Sequence, residues 1–134
     1  MDKGRTVYTS TPTATVFAAI AAMNDRRIGA LLVIEAGAPL GILTERDVLR
    51  MLLAELDPKV TAVRHVMTRN PITVRSDTHV GEAMQIMTEH RCRHLPVVDD
   101  GELQGLISIG DLTNWVVRDQ QRRIDDLYDF IRAA

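Results

Sequence analysis

The sequence predicts an α/β fold made of two β-α-β-β-α repeats related by a pseudo-two-fold axis, followed by a C-terminal helix. The first observation is an internal repeat, because a shift of 64 residues places residues 7–50 on residues 71–114 without a gap. Chance would give about two or three identities in such an alignment. Ten positions are identical: Thr9/Thr73, Val16/Val80, Ala19/Ala83, Met23/Met87, Arg27/Arg91, Leu31/Leu95, Val33/Val97, Gly37/Gly101, Gly41/Gly105 and Asp47/Asp111. A repeated unit usually buries its apolar face against its copy, so we expect one two-lobed body with paired sites.

The second observation is that both copies show the same order of extended and helical patterns. Each copy opens with a short extended piece, at 6–10 and 72–75, and a polar step at 11–13 and 76–78 then opens a helix. Apolar residues at helical spacing predict that helix. They are Val16, Ala19, Ile20 and Met23 in the first copy and Val80, Ala83, Met84 and Met87 in the second.

A hairpin and a second helix complete each copy. Apolar runs at 30–34 and 95–98 predict a buried strand, and turns at 35–37 and 99–101 lead into a second strand at 40–43 and 103–107. A glycine-containing turn of this kind between two apolar runs is a good hairpin signal. A second helix is predicted from Glu45 and again from near Ile109.

These patterns divide the chain into repeat 1 (residues 6–56), a linker (57–70), repeat 2 (71–119) and a C-terminal amphipathic helix (120–134). Pro58 ends the helix before the linker, and apolar residues at 63, 66 and 67 predict a short helical turn within it. The last segment has an apolar stripe of Ile124, Leu127, Tyr128 and Ile131. Two repeats cannot cover this stripe as well as the apolar positions of the repeat helices, so a homodimer is expected. Those positions are Val48, Leu49, Leu52 and Val116.

Composition excludes several classes of function. The chain has 134 residues, 46% of them hydrophobic, and a net charge of −2, so no basic field attracts nucleic acid or an anionic membrane. A single cysteine excludes an intrachain disulfide and favours a reducing compartment, so a cytoplasmic location is expected. No apolar run reaches the roughly 18 residues of a membrane span, and no signal peptide is expected. The four histidines show no ligand spacing, so no metal site is expected: His65, His79, His90 and His94.

One local motif occurs in both copies: a hydroxyl residue ends a strand, and an aspartate follows three residues later. The pairs are Thr44 with Asp47 and Ser108 with Asp111. One interpretation is a capping box that satisfies free helix donors. The other is a nucleotide site. A helix N-terminus suits a phosphate, Arg46 adds a charge, and the aspartate can accept hydrogen bonds from the cis-diol of a ribose.

In both copies the motifs resemble the CBS domain, named after cystathionine β-synthase. The resemblance rests on residues 16–20, 28–33, 41–48, 65–68, 91–98 and 105–112. It implies a non-catalytic regulatory module with two clefts that bind AMP, ADP, ATP, NAD or S-adenosylmethionine, AMP first, and that acts on an unidentified effector. The alternative is a structural oligomerisation module with vestigial clefts. A hydrolase that uses Asp47 and Asp111 is disfavoured, because no residue is placed to activate water.

The resemblance also implies the site residues, with phosphate and ribose held by the hydroxyl residue and the aspartate, and the adenine wall supplied largely by the other repeat. The first cleft would contain Thr44, Arg46, Asp47, Val66, Met67, Thr68, Pro71, Ile72, Cys92, Arg93 and His94. The second would contain Val7, Tyr8, Ile28, Gly29, Ala30, Ser108, Gly110 and Asp111. Cys92 aligns with Ile28, which also indicates a packing role. Gly110 replaces Arg46 in the second cleft, so the first cleft is expected to bind a phosphate more tightly.

Overall fold

A computed structural model describes residues 8–133, so the predicted contributions of Thr6 and Val7 lie outside the described residues. The predicted fold class is confirmed, with an α/β arrangement in each repeat. The elements in chain order are β1 (Thr9–Ser10), α1 (Val16–Arg26), β2 (Ala30–Glu35), β3 (Ala38–Thr44), α2 (Glu45–Leu53), a 3-10 turn (Val63–His65), β4 (Thr68–Arg69), α3 (Val80–His90), β5 (His94–Asp99), β6 (Glu102–Ser108) and α4 (Ile109–Ala133).

The two hairpins have the same geometry. In the first, Glu35 pairs with Ala38 around the two-residue turn Ala36-Gly37. In the second, Asp99 pairs with Glu102 around the turn at 100–101. Both central residues of each turn have positive φ, 52° and 79° in the first and 51° and 79° in the second. This is the turn type whose twist matches that of paired strands, which explains a glycine at the second position of both.

The first helix of each repeat begins slightly later than the polar steps at 11–13 and 76–78 suggest. Helix α1 is capped by Thr15, whose side chain accepts a hydrogen bond from the Ala18 amide at 3.1 Å. Helix α3 follows His79, which makes no side-chain cap. Both helices are followed by a C-cap arginine in the left-handed region, Arg27 with φ 54° and Arg91 with φ 53°. The repeat is therefore preserved down to the backbone conformation of its helix ends.

The sheets of the two repeats differ. Repeat 1 has four strands in the order β1-β2-β3-β4, whereas β5 and β6 form a two-stranded sheet. The strand predicted at 72–75 reduces to one parallel bridge between Val74 and Val97. In repeat 1 the Leu32 amide donates to the Tyr8 carbonyl at 3.3 Å. The residue equivalent to Leu32 is Pro96, which has no amide hydrogen, so this ladder cannot extend in repeat 2.

The predicted linker packs as part of repeat 1. The Val63 amide donates to the Ala14 carbonyl at 2.8 Å, and the Val16 amide donates to the Thr61 carbonyl at 2.9 Å. The strand β4 was not expected from the sequence, and it pairs antiparallel with β3. Val63 and Met67 join the buried core of repeat 1, which also contains Val16, Ala19, Met23, Leu31, Val33, Leu43 and Met51. A separate core in repeat 2 contains Val74, Ala83, Met87, Leu95, Val97, Ile107 and Leu112.

Helix α4 is one continuous helix of 25 residues. The boundary predicted between residues 119 and 120 therefore falls inside a helix and corresponds to no break in the backbone. Leu112, near its start, is 2% exposed and anchors the helix to repeat 2. Between residues 120 and 132 every side chain is exposed, including the predicted apolar stripe. Among residues 8–133, no helix is both long and apolar enough to cross a membrane.

Candidate functional site

The two hydroxyl-aspartate motifs begin α2 and α4, and in both motifs the two residues bond reciprocally. The Thr44 amide donates to Asp47 Oδ2 at 2.9 Å, and the Asp47 amide donates to Thr44 Oγ1 at 3.3 Å. In repeat 2 the Ser108 amide donates to Asp111 Oδ2 at 2.9 Å, and the Asp111 amide donates to Ser108 Oγ at 3.1 Å. Both motifs are therefore capping boxes, which fix the position of each carboxylate at a helix N-terminus.

The carboxylate of Asp47 is the most buried charged group of this site, with 3% of the residue exposed. Its Oδ2 also lies 3.1 Å from the Thr44 hydroxyl, and its Oδ1 accepts a hydrogen bond from the Thr68 hydroxyl at 3.0 Å. Such partners are needed to hold a carboxylate away from water. Asp47 thus joins the start of α2 to β4 and brings together three residues predicted for the first cleft. A carboxylate has about four acceptor positions, so it can also accept from a ligand.

The predicted adenine wall of the first cleft starts in the core of repeat 1. Met67 is 7% exposed and packs under β3 at Gly41. A Cβ atom placed on Gly41 would lie 2.6 Å from the Thr68 carbonyl oxygen and 2.8 Å from Met67 Sδ. Val66 packs partly buried against the same core, Pro71 is half-buried, and Ile72 is exposed. Gly41 therefore allows the close approach of β4 that places Thr68 beside Asp47.

Arg46 connects the two repeats. Its side chain is exposed, and Nη1 donates to the carbonyl oxygen of Arg91 at 3.1 Å. Cys92 follows Arg91 and packs half-buried against the core of repeat 2, where burial raises the pKa of its thiol. A neutral, packed thiol agrees with the packing role that its alignment with Ile28 indicates. The exposed Arg93 comes next along the same segment, and its carbonyl accepts from the Ile109 amide at 2.8 Å.

The adenine-wall residues predicted for the second cleft lie just before β1 and at the start of β2, whereas Ser108, Gly110 and Asp111 lie at the junction of β6 and α4. Tyr8 is half-buried against the core of repeat 1, and the Arg26 guanidinium lies 4.6 Å from its ring centroid. Gly29 lies between two side chains: a Cβ atom placed on it would be 3.3 Å from Glu45 Oε1 and 3.6 Å from His94 Cε1. Ile28 packs partly buried and Ala30 is buried. Gly29 is therefore where repeat 1 contacts the first residue of β5.

His94 lies at this contact between the repeats. Burial lowers its pKa, the nearby carboxylates of Asp111 and Glu45 act in the opposite direction, and Arg93 adds to the lowering. The sequence placed His94 in the first cleft, whereas its neighbours in the structure are Gly29, Glu45 and Asp111. Among residues 8–133, no three His, Cys, Asp or Glu side chains cluster as metal ligands.

We expect His94 to make the protein less stable in acid. Its pKa in the folded state lies below the ordinary value of 6.5, so the unfolded chain binds more protons. The free energy of unfolding should therefore fall as the pH drops through 6.5 and stop falling below the folded-state pKa. Urea denaturation between about pH 7.5 and 5.5 should show a smaller loss for His94→Gln than for wild type. The exposed His65→Gln is the control, and equal slopes for both variants would contradict the prediction.

An open groove of about 550 Å³ lies between α1 and α2 of repeat 1. It includes Ile28 and Gly29 from the predicted second cleft but none of the hydroxyl or aspartate residues of the two motifs. The sequence indicated Val48 and Leu49 as exposed apolar positions, but it gave no sign that α1 would complete a groove with them. The lining residues are Ile20, Met23, Asn24, Arg27, Ile28, Gly29, Glu45, Val48 and Leu49.

Comparisons with a family profile, with known sequences and with solved structures all find the same family. The sequence profile of the CBS domain matches residues 4–54 and 63–118. The chain is 38% identical over 126 residues to the Arabidopsis thaliana CBS domain-containing protein CBSX3, mitochondrial, covering 90% of the chain and 61% of that protein. A solved structure from Burkholderia ambifaria contains CBS domains, and its name gives signal transduction as a provisional role. It shares 48% identity and a TM-score of 0.84 over 87% of both chains. CBSX2, solved in complex with AMP, shares 27% identity and a TM-score of 0.73 over 85% of this chain and 90% of that one.

Some relatives are much longer than this chain. It spans about three fifths of CBSX3 and only 18% to 22% of three further Arabidopsis thaliana relatives. The similarity therefore covers the repeated CBS region, and the activities and partners of the whole relatives do not follow from it.

Proposed function

The chain belongs to the CBS domain family, and from that premise we propose that it is a regulatory, non-catalytic module that binds an adenosine-containing ligand between its repeats. AMP is the first candidate, before ADP, ATP, NAD and S-adenosylmethionine. The observation that carries the proposal is the buried carboxylate of Asp47, held at the N-terminus of α2 beside the hydroxyls of Thr44 and Thr68. A similar structure, CBSX2, is in complex with AMP, which supports the choice of ligand.

The groups around Asp47 at the N-terminus of α2 suit a nucleoside monophosphate. The partial positive charge of a helix N-terminus favours a phosphate, to which the Thr44 hydroxyl can donate once it turns away from Asp47 Oδ2. The fixed carboxylate of Asp47 can accept from the ribose diol, and charge-assisted bonds of this kind are worth about 1.5–3 kcal/mol each. Ser108 and Asp111 repeat the arrangement at the start of α4, where His94 lies near the carboxylate. We therefore propose a second, related cleft there.

Thermal unfolding with a nucleotide panel tests the proposal. AMP, ADP, ATP, NAD and S-adenosylmethionine would be compared with GMP and inorganic phosphate as controls. A specific ligand at about 100 times its dissociation constant should add about 2.7 kcal/mol to the free energy of unfolding. Stabilisation by the adenosine-containing compounds alone supports the proposal. No shift with any of them, or an equal shift with GMP, contradicts it.

The two clefts should not bind AMP equally. The first motif carries Arg46 where the second has Gly110, so a phosphate there meets a full positive charge. After desolvation, the net advantage should be about 1–2 kcal/mol, or about tenfold in affinity. We expect Arg46→Ala to weaken AMP binding more than Gly110→Ala when both are measured by calorimetry. In crystals soaked at limiting AMP, nucleotide density only beside Asp111 would contradict this expectation.

The alternative is a structural interaction module that uses its surfaces rather than its clefts. The reciprocal bonds of the two capping boxes favour it, since they account for both motifs without any ligand. Several large apolar side chains are also exposed outside the clefts, on α2 and α4. This alternative predicts assembly that does not depend on nucleotide, whereas the leading proposal predicts nucleotide binding.

Either function fits a homodimer, which we expect from the exposed apolar surface. Leu49, Leu52 and Leu53 on α2 are 62%, 54% and 86% exposed, and Leu127 on α4 is 58% exposed. Monomeric proteins seldom leave such a surface uncovered, and covering it by self-association buries it in both copies. Light scattering at tens of micromolar protein should give the mass of a dimer, and Leu49→Glu with Leu127→Glu should reduce it. A wild-type monomer would contradict the prediction.

We propose the effector and the cellular compartment only as broad classes. We propose that ligand binding acts on a separate effector protein or on the assembly of the chain itself. The single cysteine favours a reducing compartment. One relative is named as mitochondrial, so the cytoplasm and the mitochondrion are both candidates. A net charge of −2 gives no reason to propose binding to nucleic acid or to a membrane surface.

A further inference from the structure

Arg46 caps a helix that belongs to the other repeat. It lies in the first turn of α2, and its Nη1 donates to the carbonyl oxygen of Arg91, 45 residues further along the chain. Arg91 is the C-cap residue that follows α3, with φ 53°. The last carbonyl groups of a helix have no partner within the helix and carry partial negative charge. A guanidinium at this point therefore stabilises the C-terminal end of α3.

This contact runs in one direction only. Arg27 follows α1 as its C-cap residue with nearly the same backbone conformation, φ 54°, and is the counterpart of Arg91. The counterpart of Arg46 is Gly110, which has no side chain to donate. The end of α1 therefore cannot receive the same contact from the second motif. At this inter-repeat contact the two repeats therefore differ, since the end of α3 receives the hydrogen bond and the end of α1 does not.

The same guanidinium lies at the helix N-terminus where the phosphate of a nucleotide is proposed to bind. A phosphate dianion is a stronger acceptor than a backbone carbonyl, because both partners are then charged. We propose that the Arg46 guanidinium moves its hydrogen bond from the Arg91 carbonyl to the ligand phosphate. Binding in the Asp47 cleft would then remove the cap from the C-terminal end of α3. This inference rests on the proposed nucleotide site and adds the route by which its occupancy reaches repeat 2.

Amide hydrogen exchange at the end of α3 tests this route. The Arg91 amide donates to the Thr88 carbonyl at 3.4 Å and the Cys92 amide to the Met87 carbonyl at 3.1 Å. Loss of the cap should raise local opening, so AMP should speed exchange of these two amides about threefold to tenfold. Adenosine, which has no phosphate, should leave them unchanged. At limiting AMP, which should fill the Asp47 cleft before the second cleft, the matching amides of Arg27 and Ile28 at the end of α1 are an internal control and should not respond.

Variants separate the contact from the ligand. Arg46→Ala should exchange fast at Arg91 and Cys92 without any ligand, and AMP at a concentration scaled to its affinity for the variant should add nothing. Arg50→Ala removes the same charge one turn later on α2 and should behave as wild type. Ligand-free exchange in Arg46→Ala equal to that of wild type would overturn the inference.

Calorimetry in the same samples distinguishes this inference from the proposed function. If AMP binds the wild-type protein but exchange at Arg91 and Cys92 does not change, the uncapping is wrong while the nucleotide site stands. If AMP does not bind at all, the proposed function fails and the uncapping fails with it. An equal response to AMP and adenosine would also overturn the role of the phosphate.

Discussion

Replacing Asp47 with alanine should weaken AMP binding by about 2–4 kcal/mol, or about 30-fold to 1000-fold in dissociation constant. The charged acceptor proposed for the ribose is lost in this variant. The same change removes a cap from α2 and the partner of Thr68, so the protein should also lose about 0.5–2 kcal/mol of stability. Calorimetry and urea denaturation on the same samples measure the two effects separately.

Asp47→Asn separates the ligand role from the capping role. Its amide oxygen can still accept from the Thr44 amide, and its NH₂ group can donate to the Thr68 hydroxyl, so the local bonds can re-form without the charge. We expect near-normal stability with a large loss of AMP affinity, while Asp111→Ala should leave the tighter site intact. A variant that melts lower yet binds AMP normally would show that Asp47 is only a cap.

Gly41→Ala should lower the free energy of unfolding by about 2–4 kcal/mol. The added Cβ would lie 2.6 Å from the Thr68 carbonyl oxygen, a backbone atom that can move only if β4 moves with it. Moving β4 would also draw the Thr68 hydroxyl away from Asp47. Urea denaturation should therefore show lost stability, and calorimetry should show weaker AMP binding at a temperature where the variant is folded.

Gly105→Ala is the matched control in the second repeat. It is the equivalent position, yet a Cβ atom placed there meets nothing within 4 Å. Its effect should be small, and a gain of up to about 1 kcal/mol is reasonable because the unfolded chain loses conformational freedom. Equal destabilisation by the two substitutions would mean that the close approach of β4 to β3 does not determine the result.

The repeated elements were predictable because their signals are local. The turns at 36–37 and 100–101 combine a glycine with flanking apolar runs, and they fold as two-residue turns. The capping partners Thr44 and Asp47 are three residues apart, so one turn of helix brings them together. Residue type and short spacing therefore determine these features whatever the rest of the chain does.

Features that depend on pairing between distant segments could not be predicted. Strand β4 has only two residues, Thr68 and Arg69, and nothing in its own sequence indicates that it pairs with β3. The contact from Arg46 to the Arg91 carbonyl, and the position of His94 against Gly29, arise only when the repeats meet. The loss of strand pairing at Pro96 follows from its missing amide hydrogen, but this could be inferred only once the partner strand was known.

Residues 58–69 pack onto repeat 1, so this half of the protein can fold only when they are present. The Phe17 and Val16 amides donate backbone hydrogen bonds to the Pro58 and Thr61 carbonyls, and Met67 fills the core from the far end of the segment. A chain emerging from a ribosome and ending at residue 56 would lack all of these contacts. Domains generally fold as units during synthesis, so the first lobe should become stable only after residue 69 has emerged. The boundary between the two lobes therefore lies after β4, and a first half that ends there would keep its complete core.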